Sequence, residues 1–366
     1  MKIGIIKQKF VKLSGGSERY TTGLVAALKQ AGHEIHVFTA QWDASAESAR
    51  VTLHRVPMLG GFSFLRQWSF ARNCKRAIER APCDAVFSLE RSLKQDIARA
   101  GGGCHREWLI QRSRYAPFWK RFFFRLNPLH TVLLRLERQT FSPANTRFVI
   151  ANSHRGKEEI IRHYGFPADR MIVVHNGADC ERFKPVPRPV RDEFVLLIVG
   201  SGFERKGVGF AIRALARLPQ RVKLRVAGEG RREPYLRLAQ QLGVADRVEF
   251  LGRRAGIEAA YADADVLVHP AIYEPFSNAC LEALACGLPV VTSRINGASE
   301  VITPGVDGAV VDDPADSAAL AAAIAPFLNP QTYAAAARAA RHKAESLPFS
   351  RNVEQTLEAF TGLHTS

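Results

Sequence analysis

Short runs of consecutive apolar residues alternate along the chain with longer stretches in which apolar positions recur every three or four residues. In the first half the runs are "KIGII", "HEIHVFTA", "DAVFSL", "RFVIANS" and "MIVVHNG". The second half repeats the style with "FVLLIVG", "VKLRVAGEG", "RVEFLG", "ADVLVHP", "LPVVTS" and "GAVVDD". Near-continuous apolar runs predict strands buried on both faces, and their alternation with helical periodicity predicts parallel sheets covered by helices. The segment "FKPVPRPVRDE", Phe183 to Glu193, carries three prolines and a charge cluster and separates the two series. The pattern predicts two doubly wound, Rossmann-like α/β domains, 1–186 and 187–347, facing each other across a cleft. Ligands are then expected at the carboxyl ends of the strands, in the crevice between the domains.

Composition changes this picture little. The 366 residues exceed what one core usually serves, and 46% hydrophobic with 23% charged residues is ordinary for a globular protein. The six cysteines form no C-x-x-C pair and "MKIGIIKQKF" enters a strand, which predicts a reduced, cytosolic protein. No run of about 18 apolar residues predicts a membrane span. Charge is more informative. Residues 1–185 hold 31 Lys and Arg against 15 Asp and Glu, while residues 186–366 hold 20 of each, so the whole net charge of +16 lies in the first half. Such a block predicts an anionic partner, whether nucleic acid, an anionic membrane or a phosphorylated substrate.

Candidate chemistry lies in the loops that follow strands. Gly15 and Gly16, in "KLSGGSERYTTGLVAALKQAGH", precede an amphipathic helix ending near Gly32, where a glycine pair lets backbone approach a phosphate. The pair fits neither a dinucleotide fingerprint nor a P-loop, which counts against those sites. At the corresponding strand end of the second half, "GSGFERKG" sets Arg205 and Lys206 among glycines, as suits a diphosphate; a solvated basic turn is the plainer alternative. The stretch "YEPFSNACLEALACGLPVV" places Glu274 and Glu282 eight residues apart. Helical spacing after Pro275 predicts a helix of about ten residues, stopped at Gly287 and Pro289, with Glu274 at its mouth and Glu282 about 12 Å further along the axis. The amides of Phe276, Ser277 and Asn278 then offer an anion site beside them. Alternatively Glu274 is an N-cap and Glu282 half of an ion pair. Asp263 and Asp265 form a "DAD" like a metal-binding D-x-D, but the motif sits where a helix feeds a strand, and no metal is expected.

"HNGADCERFKP" (His175 to Pro185), "GSGFERKG", "ADADVLVHPAIYEPFSNACLEALACGLPVV" and "NGASEVI" together resemble, in order, the signature of family 4 glycosyltransferases of GT-B fold. Within that family the chain is most similar to the lipopolysaccharide core glucosyltransferase I group. The resemblance implies that Glu274 contacts the donor sugar and Glu282 the nucleotide ribose. Arg205 and Lys206 would hold the donor diphosphate, and Gly15 and Gly16 would close over it. It also implies a metal-independent, cofactor-free reaction that retains anomeric configuration by front-face attack, with a nucleotide-sugar donor, foremost a UDP-sugar carrying a hexose such as glucose. His105, in "ARAGGGCHREWL", is the candidate for touching the transferring sugar. Gly102 and Gly103 stand where relatives carry an acidic residue, and Ser277 where many have glycine. Residues 348–366 are expected to form a helix returning to the first domain.

The segment Tyr115 to Phe141 interleaves Lys120, Arg121 and Arg125 with Phe118, Trp119, Phe122, Phe123 and Phe124, a composition suited to a lipid headgroup boundary; a helix packed on its own sheet is the alternative. Membrane contact through Trp119, Lys120, Arg121, Phe122 and Arg125 is expected, with the protein peripheral to the inner face of the membrane and the acceptor a phosphorylated glycolipid or oligosaccharide. Nucleic-acid binding leaves the two glutamates unexplained, and no DNA-reading module is recognisable. A GT-B epimerase or phosphorylase remains the nearer alternative.

Overall fold

The computed structural model describes all residues except 12–15, 44–49, 119–125, 188–190, 255 and 362–366, and only the backbone of 16–19 and 361. Gly15 and the expected membrane residues Trp119, Lys120, Arg121, Phe122 and Arg125 therefore lie outside the described residues. The chain divides into two units, one of Met1–His175 with Ser350–Ser366 and one of Asn176–Phe349.

In the first unit the strands are β1 (Lys2–Ile6), β2 (Lys9–Phe10), β3 (Glu34–Thr39), β4 (Gln41–Trp42), β5 (Val51–Arg55), β6 (Ala85–Ser88), β7 (Ile97–Arg99), β8 (Phe148–Ala151) and β9 (Met171–Val173). Seven pair in the order β5-β3-β1-β6-β7-β8-β9, every pairing parallel, and β2 pairs with β4. Strands β5 and β7 escape the apolar-run pattern for physical reasons. β5 is a half-exposed edge with alternating polarity, and β7 has only three residues. The helix expected after the glycine pair spans Gly16–Gln30 and takes in Gly16 as its first residue. The last helix, Phe349–Thr361, packs in this unit: Phe360 meets Phe87 with ring centroids 5.4 Å apart, and the Tyr20 hydroxyl lies 3.2 Å from that of Thr356.

The second unit holds β10 (Phe194–Val199), β11 (Val222–Ala227), β12 (Val248–Gly252), β13 (Val266–His269), β14 (Val290–Ser293) and β15 (Gly308–Val311). They form one parallel sheet in the order β12-β11-β10-β13-β14-β15. The order reverses between β10 and β13, and a crevice opens at the carboxyl ends of strands flanking such a switch point.

The boundary expected at 186/187 is corrected to His175/Asn176. By residue 178 the chain is already packed in the second unit. The Ala178 amide donates to the Leu347 carbonyl at 2.8 Å, and the buried Phe183 meets Tyr261 edge-on at 5.6 Å. The proline-rich run thus follows the crossing and does not mark it. No described helix is long and apolar enough to cross a membrane.

Candidate active site

Two loops meet at the switch point of the second unit. After β10 the chain turns through Gly200 and Gly202 into the one-turn helix Phe203–Lys206 and leaves through Gly207. After β13 it runs from Pro270 to Ser277 and enters the helix Asn278–Ala285. The Ile272 amide donates to the Arg205 carbonyl at 3.0 Å and ties the loops together. Two glycines make this approach possible. A side chain at Gly200 (φ +130°) would put its Cβ 2.7 Å from Lys206 Cε, and one at Gly207 (φ +75°) would lie 1.9 Å from the Pro270 carbonyl oxygen. Both conformations favour glycine, since a Cβ clashes with backbone there.

The result is a cluster about Glu274. Lys206 Nζ donates to Glu274 Oε2 at 2.7 Å, Arg205 Nη1 stands 3.5 Å from the same oxygen, and His269 Nε2 4.0 Å from it. Glu274, Lys206 and His269 are all buried. Burial by itself would raise the Glu274 carboxyl, but Lys206, Arg205 and His269 outweigh it and hold the group near 2, against an ordinary 4.5. His269 is pushed down to about 3, first by burial and then by Lys206, so its ring is neutral at physiological pH. Neither ring nitrogen of His269 has a hydrogen-bond partner among the described residues. Arg205 and Lys206 with Glu274 leave a surplus positive charge at the crevice, in fixed positions suited to a diphosphate.

Glu282 stands in the opposite state. Burial raises its carboxyl, offset by the Tyr261 hydroxyl, which donates to Oε2 at 2.8 Å; Arg182 and Lys206 act on it through space. The two glutamates expected to share a helix do not. Glu274 lies in the loop, its amide 3.4 Å from the Ile295 carbonyl and its own carbonyl accepting from Gly297 at 2.9 Å. The helix starts only at Asn278 with Ser277 as N-cap, so the N-cap alternative for Glu274 fails and the axial separation of 12 Å has no helix to run along. Gly287, at φ +71°, does follow the helix end, as its sequence position suggests.

Of the three expected amides, that of Ser277 donates to Asn296 Oδ1 at 3.1 Å. Helix geometry leaves the next amides, at Asn278 and Ala279, without intrahelical partners. Asn278 is held by Asn176, whose Nδ2 donates to its Oδ1 at 2.6 Å. Asn296, His269 and Tyr261 are the residues that sequence reading passed over. A polar residue closing the apolar run "VLVH" was the one available signal for His269, and Asn296 lies in the quoted "NGASEVI". Asp263 is gripped by Arg191 and Arg225, and Asp265 accepts from Arg191 at 2.8 Å and from the Val195 amide at 2.7 Å. The "DAD" acids are thus committed to guanidinium and backbone partners.

His105 belongs to the first unit and is partnered there. It begins the helix His105–Tyr115, its amide donates to the buried Glu137 at 2.7 Å, and its Nε2 lies 3.1 Å from His130 Nδ1. Burial and then Arg91 press its pKa to about 4, leaving the ring neutral at physiological pH.

Two doubly wound units in one chain, the second with cations and a carboxylate at its switch point, have the make-up of a GT-B enzyme. The model of the Glycosyltransferase Family 4 domain matches residues 14–182, and that of the Glycosyl transferases group 1 domain matches residues 179–344. The lipopolysaccharide glucosyltransferase WaaG of Escherichia coli K12 is 26% identical over 365 residues, 95% of this chain and 96% of its own. A crystal structure of WaaG superposes with a TM-score of 0.83 at 24% identity, covering 98% of this chain and all of the other. A probable transglycosylase of Burkholderia thailandensis is 30% identical over 325 residues, 85% of this chain and 82% of its own. Anabaena HepE, crystallised with UDP-glucose, superposes with a TM-score of 0.75 at 21% identity over 99% of this chain and 100% of its own. The chain belongs to glycosyltransferase family 4, and it is an enzyme of sugar transfer from a nucleotide sugar.

Proposed function

We propose that the enzyme transfers a hexose, glucose in the first instance, from a UDP-sugar to a lipopolysaccharide-core or other lipid-linked saccharide, with retention and without a metal. The observation that carries this reading is the Arg205–Lys206–Glu274 cluster at the switch point. Cleaving the sugar–phosphate bond builds negative charge on the leaving diphosphate, and fixed cations with the amides of Asn278 and Ala279 oppose it without reorganisation. Glu274, kept ionised by its neighbours, accepts hydrogen bonds from sugar hydroxyls. Glu282 accepts from the ribose. Following the family resemblance, Gly15 and Gly16 contact the donor and His105, a neutral ring, contacts the transferring sugar. The names and bound molecules of the relatives support this choice, since WaaG is a lipopolysaccharide glucosyltransferase and HepE was crystallised with UDP-glucose.

A panel of UDP-, GDP- and ADP-sugars with a truncated core saccharide tests the reading. We expect UDP-glucose turnover, product of unchanged anomeric configuration, and an initial rate unaltered by excess chelator. A rate abolished by chelator and restored by magnesium or manganese rejects the metal-independent mechanism. Isomerised or phosphorolysed donor without transfer would assign an epimerase or phosphorylase instead.

We further place the enzyme in the cytoplasm, held peripherally to the inner face of the membrane through residues 119–125 by charge and aromatic insertion. Replacing Lys120, Arg121 and Arg125 by Gln should release it from anionic vesicles at low salt, each cation contributing about 1 kcal/mol. Equal co-sedimentation of parent and variant rejects that placement.

A further inference from the structure

The basic excess of the first unit is not spread evenly. A cavity of about 390 Å³ opens among the helices His105–Tyr115, Pro128–Thr140 and His154–Tyr164, lined by Arg106, Thr131, Arg135, Arg138, His163 and Tyr164 together with one leucine. Among the described residues no carboxylate lines it. The nearby acids are already committed behind the wall. Glu107 receives His163 Nε2 at 2.7 Å with Arg155 at 3.7 Å, and Glu137 receives Arg91 at 3.0 Å and the Tyr164 hydroxyl at 2.5 Å. The side chains of Arg106, Arg135 and Arg138 are exposed, and among the described residues none has an ion-pair partner. Arg135 and Arg138 stand three apart on one helix, the spacing that makes side chains neighbours on its surface.

Three guanidinium groups that line one cavity without an ion-pair partner among the described residues, with a threonine hydroxyl in the same lining, match the chemistry of a dianionic phosphate. Each guanidinium offers a planar fork of donors to phosphate oxygens, and a dianion is the charge such a set of cations complements. We propose that this cavity binds a phosphomonoester group, held by Arg106, Arg135 and Arg138 with the Thr131 hydroxyl. Two sources share that chemistry, a phosphorylated saccharide in solution and a phosphomonoester lipid headgroup. The proposal does not depend on the sugar-transfer reading, because binding is measured without donor and on residues outside the Arg205–Lys206–Glu274 cluster.

The test uses the full chain and two probes. Calorimetric titration with glucose 6-phosphate, with glucose as the uncharged control, addresses the soluble source. Vesicles containing phosphatidic acid, matched in total charge by vesicles containing phosphatidylglycerol, address the lipid source. Arg135→Gln/Arg138→Gln should weaken binding of one probe at least tenfold, as expected when charged hydrogen bonds are lost, and Arg106→Gln should weaken the same probe about threefold or more. Both variants should unfold at the parent's temperature, since the replaced side chains are exposed. A loss seen with glucose 6-phosphate assigns the soluble source; a loss seen only with phosphatidic acid assigns the lipid. If the variants bind both probes as the parent does, or the parent binds neither, the proposal is wrong.

Discussion

On the proposed assignment, Glu274→Gln is expected to lower kcat by about 10²- to 10³-fold while UDP still binds, because the variant would lack an ionised acceptor for the sugar and keep the cations proposed to hold the diphosphate. Glu282→Gln should act differently, weakening the nucleotide by roughly 1–3 kcal/mol with a smaller effect on kcat, since an amide oxygen still accepts from Tyr261. Fluorescence titration with UDP alongside initial rates separates the two, and parent rates in both variants would remove the assignment. The structure adds a stability arm to this experiment. Glu274 is the closest anionic partner of the buried Lys206, at 2.7 Å, so its loss leaves a buried ammonium poorly compensated. The sign with pH follows from the depressed carboxyl. A group near 2 in the fold against an ordinary 4.5 contributes its full stabilisation above about pH 4.5 and loses it as pH falls toward 2. That contribution is about 3 kcal/mol, and it should be missing from the acid unfolding curve of Glu274→Gln.

Gly207→Ala should be the most damaging single methyl in the site. Its Cβ would lie 1.9 Å from a backbone oxygen, at Pro270, where no side chain can swing aside, and the φ of +75° adds left-handed strain of about 1–2 kcal/mol. We expect a loss of at least about 3 kcal/mol, read as a fall in Tm of about 6–12 °C, with a raised KM for the donor as the cation turn is displaced. Gly202→Ala is the control. It carries a similar φ of +79° but would meet nothing within 4 Å, so it should lose only the strain. Equal Tm changes in the two variants would show that the Pro270 contact does not constrain the turn.

Much of the architecture was legible because it is written locally. Runs such as "FVLLIVG" and "ADVLVHP" report burial on both faces of a strand, and glycines with adjacent cations after a strand report a phosphate-suited turn wherever that strand lies in the sheet. The order of motifs then pointed to the family without any knowledge of contacts. Local pattern could not supply the pairings between distant segments. The hydrogen bond from Lys206 to Glu274 joins residues 68 apart, and it exists because β10 and β13 are sheet neighbours. The same adjacency moved Glu274 off its expected helix, brought His269 beneath it and set opposite tendencies on two glutamates of identical sequence chemistry. Asn296 occupies the Ser277 amide only because the loop after β14 lies beside the loop after β13. Periodicity along one element registers which side of it is buried; the charge state of a buried carboxylate depends on which charges other elements bring within a few ångströms, and that is decided by the sheet order.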